Sequence, residues 1–264
     1  MAKMLVQTTL PHRAQPGTQY TRTDGDVTLS ITDLGGAGLP YGAYPRLILI
    51  WMTTEALRTG ERKLELGRSL SSFMGQLGLQ CTGGHWGTIP RFRDQMERLF
   101  GAAISTRWKH EQAAQTQISG SNLLLAEEFD LWWTPLKLPR TPLPQSSVTL
   151  SQKFFEQLIE SPVPLDLRAI TALKRSPLSL DLYAWATRRV SYLKRHLWIP
   201  WRSFQVSFGA GYADTPQGKS RFRGNAVEAL RRVKAVYPQL KIEWKRDGLL
   251  LLPSSTHIPL KPLS

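Results

Sequence analysis

The chain has 264 residues, 41% of them hydrophobic, with 34 Lys and Arg against 20 Asp and Glu, a net charge of +14. This is enough apolar material for one large or two small cores and too much for wholesale disorder. Cys81 is the single cysteine, the longest apolar run is Leu47–Met52, and the N-terminus lacks the apolar stretch of a signal peptide. These features exclude a disulfide framework, a multi-cysteine zinc site and a spanning helix, and they predict a soluble cytoplasmic protein.

Residues 1–18 read as a flexible N-terminal tail. Tyr20–Asp33 alternates around Asp24-Gly25, a hairpin dipeptide. Leu47, Ile50, Trp51, Thr54 and Leu57 recur at helical steps, so Tyr44–Leu57 is predicted helical, with Gly60 as its stop. A short strand at 63–67 precedes Ser69, a predicted N-cap for a helix carrying Leu70, Phe73, Met74 and Leu77. The Gly-rich stretch 82–87 leads to a helix with Phe92, Met96, Leu99 and Ala103 inward. Strands are predicted at 105–111, 114–119 and 123–133. Four prolines between Thr134 and Ser147 remove backbone donors and fix φ, so 134–146 reads as a linker between a domain at 19–133 and another at 147–264. In the second domain, helices are predicted at 151–159, 167–174 and 178–193, followed by an extended Trp198-Ile-Pro-Trp. A helix capped by Ser203 and stopped by Gly209, a helix at 221–237 and a hairpin turning at Asp247-Gly248 complete it.

The halves align at an offset of 134 residues. Trp51 and Trp185, Thr53 and Thr187, Arg68 and Arg202, Ser69 and Ser203, and Gly75 and Gly209 all pair at that spacing. The order helix, extended piece, helix, helix, ribbon is that of a winged helix, so the predicted fold class is α+β and helix-rich, with two tandem winged helices related by duplication. Charge is uneven: residues 1–150 carry +3 and residues 151–264 carry +11. Such an imbalance favours a phosphate-facing surface and makes double-stranded DNA the expected partner.

With Leu230 at the centre of the buried face of the last helix, Arg221, Asn225, Glu228 and Arg232 fall on the opposite face, and Lys219, Ser220 and Arg223 lie near its start. Arg and Asn are the side chains that read guanine and adenine edges bidentately. Lys245 and Arg246 on the ribbon, and Arg202 and Ser203 on the preceding helix, complete the expected DNA-facing set of the second half. In the first half the corresponding residues are Arg68, Ser69, Arg91, Arg93, Arg98, Arg107 and Lys109. The first-half helix is the poorer base reader, since Asp94 and Glu97 share its exposed face, but its arginines could clamp phosphate or serve a protein interface. The five histidines have neither His-x-His nor His-x-x-x-His spacing and no Walker A sequence occurs, so no metal, cofactor or catalytic residue is expected and the chain reads as a non-enzyme. A tyrosine-recombinase reading of Arg188, Arg189, Arg195, His196 and Tyr212 is weaker than that of a basic, solvated or DNA-facing helix.

Gly36-Ala-Gly-Leu-Pro-Tyr-Gly-Ala-Tyr-Pro-Arg-Leu-Ile-Leu-Ile-Trp, Leu66-Gly-Arg-Ser-Leu-Ser-Ser-Phe-Met-Gly-Gln-Leu, Arg93-Asp-Gln-Met-Glu-Arg-Leu-Phe, Leu178-Ser-Leu-Asp-Leu-Tyr-Ala-Trp and Phe204-Gln-Val-Ser-Phe-Gly-Ala-Gly-Tyr resemble the plasmid-encoded RepA family of replication initiators. The resemblance runs from about Leu34 to Ser254. It implies a protein that binds directly repeated origin sequences (iterons), promotes duplex opening and recruits a host initiator and the replicative helicase. It also implies dimerisation through the first winged helix, with autorepression and copy-number control, and no covalent bond broken. A tandem winged-helix transcriptional regulator without origin function is the alternative.

Overall fold

The computed structural model describes residues 6, 9–24, 26–112, 115–132, 145–160 and 162–259. The chain divides into two compact units. One takes residues 14–160, and the other residues 161–264 with the N-terminal residues through Arg13.

The first unit begins with the hairpin β1 (Gln19–Asp24) and β2 (Val27–Asp33), paired from Gln19↔Thr32 to Asp24↔Val27. Helix α1 (Ala43–Thr59) is buried on most of its surface, with Leu47, Ile48, Leu49, Ile50, Met52 and Ala56 inside. Gly60 ends it at φ 72°, a left-handed value that favours glycine. After β3 (Lys63–Gly67), Ser69 caps α2 (Leu70–Gln76) by accepting from the Ser72 N–H at 3.2 Å. Helix α3 (Thr88–Phe100) buries Phe92, Met96, Leu99 and Phe100. Edge-to-face contacts from Phe73 to Trp51 and to Phe92 join the three helices. Strands β4 (Ala102–Gln112), β5 (Gln115–Leu124), β6 (Ala126–Asp130) and β7 (Ser146–Leu150) follow, then α4 (Gln152–Glu160).

Two antiparallel sheets result, ordered β1-β2-β4-β5 and β3-β7-β6. The second corrects the domain boundary expected at 134–146. Strand β7 lies between β3 and β6, and Phe154 and Leu158 of α4 are fully buried in the first unit. Residues 146–160 therefore complete the first unit. The proline-rich residues 133–144 lie outside the described residues.

The second unit contains α5 (Leu167–Leu173), α6 (Pro177–Val190), β8 (Leu197–Pro200), α7 (Trp201–Phe208), α8 (Pro216–Val236), β9 (Ile242–Trp244) and β10 (Gly248–Leu251). Its sheet is ordered β8-β10-β9. Helix α6 is enclosed on nearly every side, and α8, which buries Phe222, Ala226, Ala229, Leu230 and Val233, packs against it. Pro200 precedes α7, so Ser203 lies inside that helix and is not its cap. The units share the order helix, strand, helix, helix, two strands. Their three-stranded sheets share one order, β3-β7-β6 and β8-β10-β9 with the last strand central, and the first unit adds the separate sheet β1-β2-β4-β5. The fold is thus mixed α/β with antiparallel sheets, and the first unit holds more strand than a helix-rich chain implies. Among the described residues no helix is long and apolar enough to cross a membrane.

Candidate nucleic-acid interface

Helix α8 starts earlier than periodicity alone indicated. Thr215 caps it, accepting from the Gly218 N–H at 3.1 Å, and Pro216 occupies its first turn, where the missing N–H costs nothing. The buried stripe turns the rest of the helix outward: Lys219, Ser220, Arg221, Arg223, Asn225, Glu228 and Arg232 are all exposed, as are Arg202 and Ser203 on α7 and Lys245 and Arg246 on the ribbon. The expected set therefore lies on the surface of one unit.

The cations in it are not equivalent. Arg221 and Arg246 form no ion pair among the described residues. Lys219 holds Asp214 at 2.8 Å and Lys245 holds Glu243 at 2.7 Å, and each ammonium keeps its carboxylate below the usual range. Such exposed pairs are weak and exchange readily for phosphate. Arg232 lies 3.3 Å from Glu228, which also faces Arg231 at 3.7 Å, so the far end of the helix is partly neutralised.

Aromatic side chains hold several cations in place, and these were missed by counting charge. Arg223 lies over Trp201 at 5.5 Å, while the Trp201 indole N–H donates to the Lys245 carbonyl at 3.1 Å. Arg231 and Lys234 lie over Trp244 at 5.7 and 6.0 Å. The tryptophans of Trp-Arg-Ser-Phe and Glu-Trp-Lys were the available signal, but their partners come from a different element. Asn225 donates through Nδ2 to the Tyr212 hydroxyl at 2.8 Å.

The first unit presents a weaker surface. Arg68, Arg91, Arg93, Arg107 and Lys109 are exposed, and Arg91 donates to the Gly87 carbonyl at 3.2 Å. Ser69 spends its side chain on capping. Arg93 faces Glu97 at 3.8 Å. Arg98 is the exception to the expected set. It is half-buried, pairs with Asp94 at 2.9 Å, lies over Tyr41 at 5.6 Å and donates to the Leu39 carbonyl at 3.4 Å. It braces the glycine loop that precedes α1. Cys81 is exposed, with its thiol 3.5 Å from the Ser71 carbonyl. Among the described residues, no cluster of His, Cys, Asp or Glu has a geometry that could hold a metal.

No curated protein matches the chain. Among solved structures, that of RctB domains 2–3 superposes with a TM-score of 0.58 at 12% identity, covering 94% of each chain. A selenomethionine derivative of RctB domains 2 and 3 gives 0.59 at 11%, covering 88% of this chain and 83% of that one. Both share the fold. Residues 39–199 match the family described as plasmid encoded RepA protein, a span of more than half the chain. With α1, α2, α3 and α6 all inside that match, the chain belongs to the plasmid-encoded RepA family.

Proposed function

We propose that this RepA-family chain initiates plasmid replication by binding directly repeated origin sequences in duplex DNA, with α8 in the major groove and the β9–β10 ribbon on adjacent backbone. The observation that carries the reading is the face of α8. Arg221, Asn225 and Arg232 project opposite a continuous buried stripe, flanked by Lys219, Arg223, Arg202, Lys245 and Arg246. Base-reading side chains sit centrally and phosphate-binding ones around them, as a groove helix requires. Both units are read as winged helices on their shared element order and matching three-stranded sheets, the first elaborated by the sheet β1-β2-β4-β5. The first unit, with fewer uncommitted cations, serves self-association and backbone contact, and its dimer supports autorepression and copy control. In this reading the chain also opens the origin and recruits a host initiator and helicase in the bacterial cytoplasm, and its membership of the RepA family supports that role. The chain breaks no covalent bond in this reading.

Footprinting on the origin of the plasmid that encodes the chain tests it. Regularly spaced protections on one DNA face, with an adjacent segment becoming reactive to single-strand probes and no strand cleavage, are expected. Arg221→Ala should cost about 1–3 kcal/mol and relax preference at one repeat position. A single palindromic protection without opening would instead favour a transcriptional regulator.

A further inference from the structure

Of the residues 1–18 expected to be a flexible tail, residue 6 and residues 9–13 belong to the second unit. Val6, Thr9 and Leu10 are 3%, 4% and 5% exposed. His12 donates through Nε2 to the Asp181 carboxylate at 2.7 Å, and that carboxylate, on the enclosed helix α6, is 3% exposed. An anchor of this kind fixes the direction in which the next residue leaves the surface. That residue is Arg13, exposed, with its guanidinium over the Tyr212 ring at 5.8 Å. Tyr212 in turn accepts from Asn225 Nδ2 at 2.8 Å, on the exposed face of α8 one turn from Arg221.

We infer that this N-terminal arm belongs to the DNA-reading surface: Arg13 binds a phosphate beside the base pair read by Asn225, and Tyr212 orients that amide. The inference rests on the reading of α8 as the groove helix. Stacking uses the face of the guanidinium, whereas phosphate is bound by its N–H edge, so both contacts can coexist. An Asn that reads adenine uses Oδ1 and one N–H, and the second N–H is the one Tyr212 can hold. The tyrosine hydroxyl therefore selects the amide orientation before DNA arrives, which reduces the ordering cost of base contact. Arg13 adds a cation at the same corner from a segment more than 200 residues away in sequence.

The probe is a duplex selected from a randomised pool by the full-length wild-type chain, titrated with salt against Arg13→Ala, Arg13→Lys, Tyr212→Phe and Arg221→Ala. Arg13→Ala should lower the slope of log K against log salt by about one, which is about a three- to fourfold smaller loss of affinity between 50 and 200 mM. Arg13→Lys should restore the slope, because lysine keeps the charge. Tyr212→Phe keeps the ring, so the slope should stay while discrimination at one base pair falls by about tenfold or less. If Arg221→Ala weakens binding but Arg13→Ala leaves the slope unchanged, the arm does not touch DNA and this inference fails alone. Unchanged discrimination in Tyr212→Phe removes its orienting role. If Arg221→Ala is also without effect, α8 is not the groove helix and both readings fall.

Discussion

Two side chains in this protein illustrate how a charged residue can serve structure rather than ligand. Asp166 caps α5 by accepting from the Arg168 N–H at 2.8 Å, and the Arg168 guanidinium beside it lowers its carboxyl to about 2. A carboxyl whose folded value lies below its unfolded value of about 3.9 contributes stability above roughly pH 4 and loses it as pH falls towards 2. Arg168 is 93% exposed, so solvent screening keeps the contribution small. Asp166→Asn keeps the capping oxygen and removes the charge. Urea melts of the variant should show a shallower loss of stability between about pH 4 and 2 than wild type, and parallel curves would dismiss the ion pair. Arg98 is the second case. Its guanidinium sits where a Cβ on Gly38, at φ +96°, would come within 2.6 Å. Arg98→Ala should cost about 1 kcal/mol in thermal unfolding through lost packing and hydrogen bonding, yet leave the salt slope of DNA binding unchanged. A reduced slope would return Arg98 to the phosphate contacts.

At the scale of elements, α1, α2, α3, α6 and α8 were legible because apolar residues recur at helical spacing in each. Strand β7 was not. Ser146–Leu150 follows a proline-rich run, and nothing local distinguishes a linker from the middle strand of a three-stranded sheet. Its partners, Lys63–Gly67 and Ala126–Asp130, lie far from it in sequence. Ser203 was misplaced for a related reason: Pro200 and Trp201 open α7, so a serine with capping chemistry falls in the first turn. The sheet gives a direct prediction. A fragment of residues 14–160 should melt cooperatively by circular dichroism, whereas 14–135 should not, since it loses β7 together with the buried Val148, Leu150, Phe154 and Leu158. Equal cooperativity of both fragments would show β7 and α4 to be dispensable additions.

For the whole molecule, charge placement sets the expected behaviour on DNA. Roughly six to ten neutralised phosphates would reduce affinity about 10³- to 10⁵-fold between 50 and 200 mM salt, measured by fluorescence anisotropy. A nearly flat titration would contradict phosphate-dominated binding by either unit. Composition and period by themselves determined that the chain has two helix-containing halves of similar order, that the second carries most of the positive charge, and that one face of its long helix is free of apolar residues. Those properties follow from local spacing and from sums over residues, and the long, specific motifs carried the family. Only tertiary structure decided where the first unit ends, that Arg98 braces a loop, that Trp201 and Trp244 hold cations, and that Arg13 joins Tyr212 and Asn225. Each of these depends on contacts between segments distant in sequence, which the packing of apolar faces brings together and no local pattern encodes.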